Sequence, residues 1–186
     1  MEELKRCGWC LSSDLYKKYH DEEWGVPVYD DQKIFEFLIL ETFQAGLSWI
    51  TILNKRENFR TAFDEFDYKK VKKYQEEKIQ ELLQNAGIIR NQLKIRAAVS
   101  NAIAFMKVQK EFGSFSKYIW GFTGGKPIDN NRKSLIEVPA TSALSDAISK
   151  DLKKRGFKFV GSTVVYAHMQ ATGMVDDHVK NCWRKS

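Results

Sequence analysis

The sequence predicts an all-α fold, and three observations carry that reading. From Asp31 onward apolar residues recur at spacings of three and four, and β-branched runs of period two are nearly absent. Asp, Asn, Ser and Gly also stand where helices would begin and end. With 186 residues, 43% of them hydrophobic, 13% aromatic and only 3 Pro, the chain can bury the core of one domain.

Asp30 or Asp31 caps the first helix of this pattern, which sets Ile34, Phe37, Leu38 and Glu41 on one face. Thr42–Gly46 breaks it, and a second helix follows with Trp49, Ile52, Leu53 and Arg56 in register. Asp67 caps a short basic helix. Glu76–Asn85 forms the next, with Ile79, Leu82 and Leu83 inward and Gly87 just past its end. A long helix over Asn91–Glu111 turns Ile95, Ala98, Val99, Ala102 and Met106 inward and stops before Gly113. Lys126–Asn131 reads as a loop. Ser142 or Ser145 opens a helix running to Gly156, whose Lys153–Arg155 cluster suits the negative end of the helix dipole. Ser162–Thr172 is a further helix closed by Gly173, and Asp176 or Asp177 caps a last turn holding His178 and Cys182. There is no internal repeat.

Lys and Arg number 30 against 24 Asp and Glu, a net charge of +6. The resulting field favours polyanions, nucleic acid among them, although solubility accounts for it equally. Apolar stretches such as Phe37–Leu40 fall far short of the roughly 20 residues that span a bilayer, so no membrane helix is expected. The N-terminus lacks the apolar core of a secretory signal, and three Cys cannot all pair within one chain; a reducing cytoplasm is expected.

Four residue groups carry possible chemistry. His178 and Cys182, four apart, would stack on a helix and offer a nitrogen and a thiolate to one ion, and Cys7 with His20 supplies a complementary pair. Cys2His2 would close a tetrahedral zinc and leave no position for water, so such a site is structural. Four unrelated core or surface residues fit the same spacing. Cys10 and His168 compete for the role, but His168 falls among Val164, Val165 and Ala171 and reads as a core histidine.

Nine of the 24 aromatic residues lie between Trp9 and Trp49, a density that marks either a lined pocket or an ordinary core. Glu41 shares an apolar helix face, where a carboxylate meets a desolvation cost. It is either a functional acid, or paired with Arg56 or Arg60, or exposed by a shifted helix end. The segment 76–111 is a helix-hairpin-helix candidate whose turn contains Gly87 and Ile88. Backbone N–H groups there could hold a DNA phosphate, with charge added by Arg90, Lys94 and Arg96; a plain helical hairpin is the alternative.

Several ordered motifs taken together resemble the bacterial 3-methyladenine DNA glycosylase I family, of the constitutive type within the helix-hairpin-helix glycosylases. They are Arg6-Cys-Gly-Trp9, Tyr19-His-Asp-Glu-Glu-Trp-Gly-Val-Pro27, Gln44-Ala-Gly-Leu-Ser-Trp-Ile-Thr51, Ala86-Gly-Ile-Ile-Arg90, Lys153-Lys-Arg-Gly-Phe-Lys-Phe-Val-Gly161 and Asp177-His-Val-Lys-Asn-Cys182, and they span nearly the whole chain. The resemblance implies one domain over residues 1–186, a two-lobed helix-hairpin-helix DNA glycosylase fold. One structural Zn2+ on Cys7, His20, His178 and Cys182 would join the terminal segments. It implies that Trp9, Tyr16, Tyr19 and Trp49 line a base pocket with Glu41, and that the turn carrying Gly46 and Leu47 approaches the gap in the DNA.

The implied activity is monofunctional hydrolysis that releases 3-methyladenine from alkylated double-stranded DNA, by a monomer with no membrane partner. The wider superfamily places a catalytic Asp after the hairpin, where this chain has Ser114-Phe-Ser-Lys-Tyr118 and no carboxylate. The resemblance to the 3-methyladenine enzymes, which rely on the residue equivalent to Glu41 in the pocket, implies the catalytic role for Glu41 and not for Asp129 or Asp146. Two other readings use the same residues: a non-catalytic, zinc-clamped reader of methylated cationic bases, and a bifunctional glycosylase-lyase with Lys94 as the amine nucleophile.

Overall fold

The computed structural model describes residues 4–185; residues 1–3 and 186, at the ends of the expected domain, lie outside the described set. Helix α1 (Asp14–Glu22) begins where Ser13 is extended and its hydroxyl accepts the N–H of Tyr16 at 3.2 Å. Periodicity from Asp31 onward does not reach this helix, which is short and polar on its outer face. Asp30, not Asp31, caps α2 (Asp31–Gln44) by accepting the N–H of Lys33 at 2.8 Å. Asp31 is used elsewhere: its carboxylate accepts the N–H groups of Phe115 and Ser116 and so caps a helix 84 residues on, α7 in chain order.

Every residue of α2 from Ile34 to Phe43 is buried, which makes it the central helix rather than a one-sided surface helix. It packs against α3 (Trp49–Ala62), against α6 (Gln92–Phe112) and α7 (Phe115–Gly121), and against α9 (Ser162–Ala171). Two short helices, α4 (Tyr68–Val71, capped by Asp67) and α5 (Glu76–Gln84), cover α6. In α6 the inward set is Ile95, Ala98, Ala102, Phe105 and Val108, while Val99 and Met106 are only half-buried. Helix α8 (Ala143–Lys154) opens with a reciprocal capping box between Ser142 and Ser145 and packs on α9.

The Lys126–Asn131 loop contains a two-residue strand, Ile128–Asp129, paired in parallel with Val175–Asp176. Two residues per strand are too few for any alternation to register in the sequence. The last turn is not helical: Asp176 accepts the N–H of His178 at 2.9 Å, and the chain runs irregularly to Cys182. After α9 the chain turns at Gly173 (φ +68°), where a Cβ would lie 2.3 Å from the backbone carbon of Val26; no larger residue fits.

The apolar interior divides into a large cluster around α2, α6 and α9 and a smaller one containing Cys7, Tyr19, Trp24, Phe37 and Cys182. Trp49 packs against both. Among the described residues no helix is long and apolar enough to cross a membrane.

Candidate active site and metal centre

A cavity of about 390 Å³ opens beside the smaller cluster. Helix α1 contributes Tyr16 and Tyr19, α2 contributes Glu41 and Gln44, and α3 contributes Trp49. Trp9, Trp24, Leu135 and Val138 come from connecting segments, and Ala167 and Gln170 from α9. The rings brace one another: Trp9 meets Tyr16 edge-on at 4.8 Å and 64° and Trp24 edge-on at 5.0 Å and 69°, and Tyr19 is tilted against Trp49 at 5.5 Å and 51°. The dense aromatic stretch is therefore both core and lining. The indole N–H of Trp49 is buried with no acceptor among the described residues, a donor whose cost a bound molecule could relieve.

Glu41 is 3% exposed. Neither Arg56 nor Arg60 pairs with it: Arg56 forks onto Glu23 at 2.7 and 2.8 Å and reaches Glu36 at 2.7 Å, and Arg60 also binds Glu36, at 2.8 Å. The ion-pair alternative is thus overturned, because the arginines are taken up by Glu23, Glu36 and Glu57. Burial alone pushes the Glu41 carboxyl up to about 8. At neutral pH it is mostly protonated, a single unpartnered acid in a ring-lined cavity.

Helix α2 ends at Gln44, one turn beyond Glu41, where Lys94 closes it. The Lys94 ammonium donates to the carbonyls of Phe43 and Ala45 at 3.0 and 2.8 Å, and burial lowers its pKa. Lys94 is only 7% exposed and is not offered to a phosphate or to a sugar carbon, which removes the support for it as a DNA contact or lyase nucleophile. Beyond this clasp, Gln44 and Leu47 exchange hydrogen bonds across a tight turn that leaves Gly46 in open space and Leu47 38% exposed.

The turn between α5 and α6 differs from the expected phosphate cradle. The N–H of Gly87 is taken by the Asn85 side chain at 2.8 Å, that of Ile88 by the Asn85 carbonyl, and Ile88 is buried in the core. Position 87 is tightly packed: an added Cβ would lie 2.9 Å from the Asn85 side-chain oxygen and 3.1 Å from Asn58 Cβ. Arg96 pairs with Glu76 at 2.7 Å, while Arg90 is exposed. Neither Asp129 nor Asp146 lines the cavity.

Cys7, His20, His178 and Cys182 are all buried, and their ligand atoms lie within 4.8 Å of one another. S···N separations within the cluster are 3.4 Å (Cys182 to His20), 3.5 Å (Cys182 to His178) and 3.8 Å (Cys7 to His178). Zinc bond lengths with tetrahedral angles give an S···N edge of about 3.6 Å. The four residues therefore fit a tetrahedral ion. The outer nitrogens are fixed as such sites require: His20 Nδ1 lies 2.8 Å from Asp21 and His178 Nε2 lies 3.0 Å from the Trp24 carbonyl. Burial holds His178 neutral, down to about 4, and pushes the Cys7 thiol up to about 12, so a cation is what would draw out its thiolate. The ligands meet through an irregular loop, not through helical stacking. Cys10 instead donates to the Cys7 carbonyl, and His168 contacts the Ile34 carbonyl in the core.

The metal cluster and the cavity share walls. Trp9 packs 5.4 Å from the His20 ring and Trp24 packs 4.7 Å from His178.

The model for the family described as methyladenine glycosylase matches residues 9–185. The chain belongs to the methyladenine glycosylase family. Within it, the chain is 49% identical over 179 residues to DNA-3-methyladenine glycosylase 1 of Escherichia coli, covering 96% of both chains. It superposes with a TM-score of 0.95 on 3-methyladenine DNA glycosylase I from Staphylococcus aureus, a structure describing 3-methyladenine recognition, at 35% identity over 100% of this chain and 98% of that one. A variant 3-methyladenine DNA glycosylase I in complex with 3-methyladenine superposes at TM-score 0.94, with 35% identity and 97% of each chain covered.

Of the cavity residues of this family member, Leu135, Val138, Ala167 and Gln170 carry no functional signal in the sequence, Trp24 enters only through the aromatic density and a family motif, and Gln44 only through the motif and turn that carry Gly46 and Leu47.

Proposed function

We propose that the protein is a base-excision repair enzyme that hydrolyses the N-glycosidic bond of 3-methyladenine in alkylated double-stranded DNA. The observation that carries this reading is a buried, unpartnered Glu41 inside a ring-lined cavity. Family membership and the 3-methyladenine complex of a relative support the substrate. The reading includes a monomer working in a reducing cytoplasm, where the three buried cysteines stay free of disulfides.

Methylation at N3 makes the purine cationic and weakens its bond to the sugar, so the leaving group needs little acid catalysis. Extruding the nucleotide costs a few kcal/mol, least for a damaged base. Leu47, on its exposed turn, enters the gap left behind, and Arg90 meets the backbone phosphate. Trp9, Tyr16, Tyr19 and Trp49 enclose the base, and cation–π attraction of about 0.5–2 kcal/mol favours the methylated form over adenine.

Arrival of a cation next to Glu41 favours its carboxylate, and the proton leaves to solvent. When the C–N bond breaks, its electron pair neutralises the purine and positive charge passes to the sugar. Glu41 then faces the charge that grows in the transition state. Water adds to C1′ and gives up a proton. One structural Zn2+ on Cys7, His20, His178 and Cys182 keeps the ligand-bearing segments, and with them Trp9 and Trp24, in place.

Incubating the purified protein with methylated duplex DNA and separating the liberated bases tests this reading. Free 3-methyladenine with no borohydride-trapped protein–DNA adduct is expected. Lesions that stay joined to DNA while the protein binds it would make this a reader, and a trapped adduct would make it a lyase.

A further inference from the structure

We infer that Gln170 is a specificity-determining residue that reads the exocyclic group of the extruded purine and selects an amino over an oxo substituent. The inference rests on the cavity being the base pocket. Gln170 lines that cavity from α9, and its amide nitrogen donates to Asp177 Oδ2 at 2.8 Å. An amide in a pocket is ambiguous until something fixes which end faces inward. Asp177 fixes it.

The Asp177 side chain is fully buried and accepts from donor-only groups on its other oxygen, Asn130 Nδ2 at 2.7 Å and Arg132 Nε at 2.9 Å. Tyr166 donates to Oδ2 at 2.7 Å, alongside Gln170. A carboxylate paired with a guanidinium and meeting these donors can only accept, so the Gln170 nitrogen is committed to it. Oε1 is left as the free end, and it has no partner among the described residues. It is also absent from the buried atoms that lack partners, so it keeps accessible surface on a residue that lines the cavity.

The cavity therefore offers an acceptor that cannot convert itself into a donor. A purine with an exocyclic amine at C6 meets it with an N–H. A purine with a carbonyl there sets oxygen against oxygen, leaving both acceptors desolvated and unpaired. Sites built around one substrate hydrogen bond reject analogues that lack it more strongly than apolar pockets reject a change of size. The ring cage favours any electron-poor methylated purine, and the Gln170–Asp177 pair narrows that preference to the adenine type.

Two measurements test this. The first uses the unaltered protein and compares binding of free 3-methyladenine with 3-methylhypoxanthine, which carries oxygen at C6, by quenching of pocket tryptophan fluorescence. At least tenfold tighter binding of the amino base is expected. The second compares release of 3-methyladenine and 3-methylguanine from methylated duplex DNA by the parent, Gln170→Met and Asn130→Ala. Gln170→Met should shrink the parent's preference about tenfold or more. Asn130→Ala removes another Asp177 donor but leaves the cavity acceptor, and should keep the preference. Equal binding of the two free bases, an unchanged preference in Gln170→Met, or an equal loss in Asn130→Ala would overturn the assignment. A parent protein that releases neither base would instead defeat the glycosylase reading, a result distinct from any of these.

Discussion

Replacing Glu41 by Gln should make the protein more stable, and by an amount that depends on pH. The side chains are nearly isosteric and Glu41 makes no hydrogen bond among the described residues, so the exchange chiefly removes the ability to ionise. Burial raises the carboxyl from 4.5 to about 8 in the folded protein. Below pH 4.5 both folded and unfolded chains keep the proton and nothing is lost. Between 4.5 and 8 the unfolded chain sheds the proton while the fold retains it, so stability falls as pH rises; above 8 the loss levels off. Linkage between these two values gives a cost of about 1 kcal/mol at pH 5, about 3 kcal/mol at pH 7 and about 5 kcal/mol at pH 9. For a chain of this size about 3 kcal/mol corresponds to a rise in Tm of roughly 6–12 °C. Thermal melts of both proteins at the three pH values read this directly. A Gln variant less stable than its parent at pH 7, or a gap that does not widen from pH 5 to pH 9, would refute a desolvated, unpaired Glu41.

Three further outcomes follow from the same geometry. Cys182→Ser should lose bound metal and several kcal/mol of stability while Cys10→Ser keeps both, as measured by metal analysis and melting; equal metal in the two would contradict the ligand set. Lys94→Met leaves the Phe43 and Ala45 carbonyls unpaired, which costs about 1–3 kcal/mol. By loosening the Gln44–Leu47 turn it should raise KM for DNA while free-base affinity is kept, and unchanged KM would show that the clasp does not position the turn. Gly173→Ala drives a methyl into the Val26–Pro27 backbone and should cost more than about 2 kcal/mol in denaturant melts, whereas a neutral effect would contradict the close approach.

Most helices were legible in the sequence because their signals are local: Asn91 and Ser142 at N-caps, Gly113 and Gly173 past C-termini, and apolar residues at helical spacing through α2 and α6. Glu41 was legible for the same reason, as a charge in an apolar register. What escaped depends on distant partners. No spacing rule foretells that Asp31 caps a helix 84 residues away, or that Asp177 orients Gln170 toward a cavity. Gly87 and Lys94 show the opposite failure. A glycine in a turn and a lysine on a helix suit a phosphate site, yet one is packed against Asn58 and the other closes α2, and only the fold decides that. Cys7, His20, His178 and Cys182 do come together as a cluster that could hold an ion, though not through the expected helical stacking, since four donors can converge from any backbone that brings the chain ends together.

The most direct test is the single-turnover rate of 3-methyladenine release from alkylated duplex DNA by the parent and by Glu41→Gln, with both proteins shown to be folded and to carry equal metal. The cavity and its acid predict rapid release by the parent and a rate at least about a hundredfold lower for the variant, the scale expected when a preorganised charge is withdrawn from a developing cation. Equal rates would contradict the role given to Glu41.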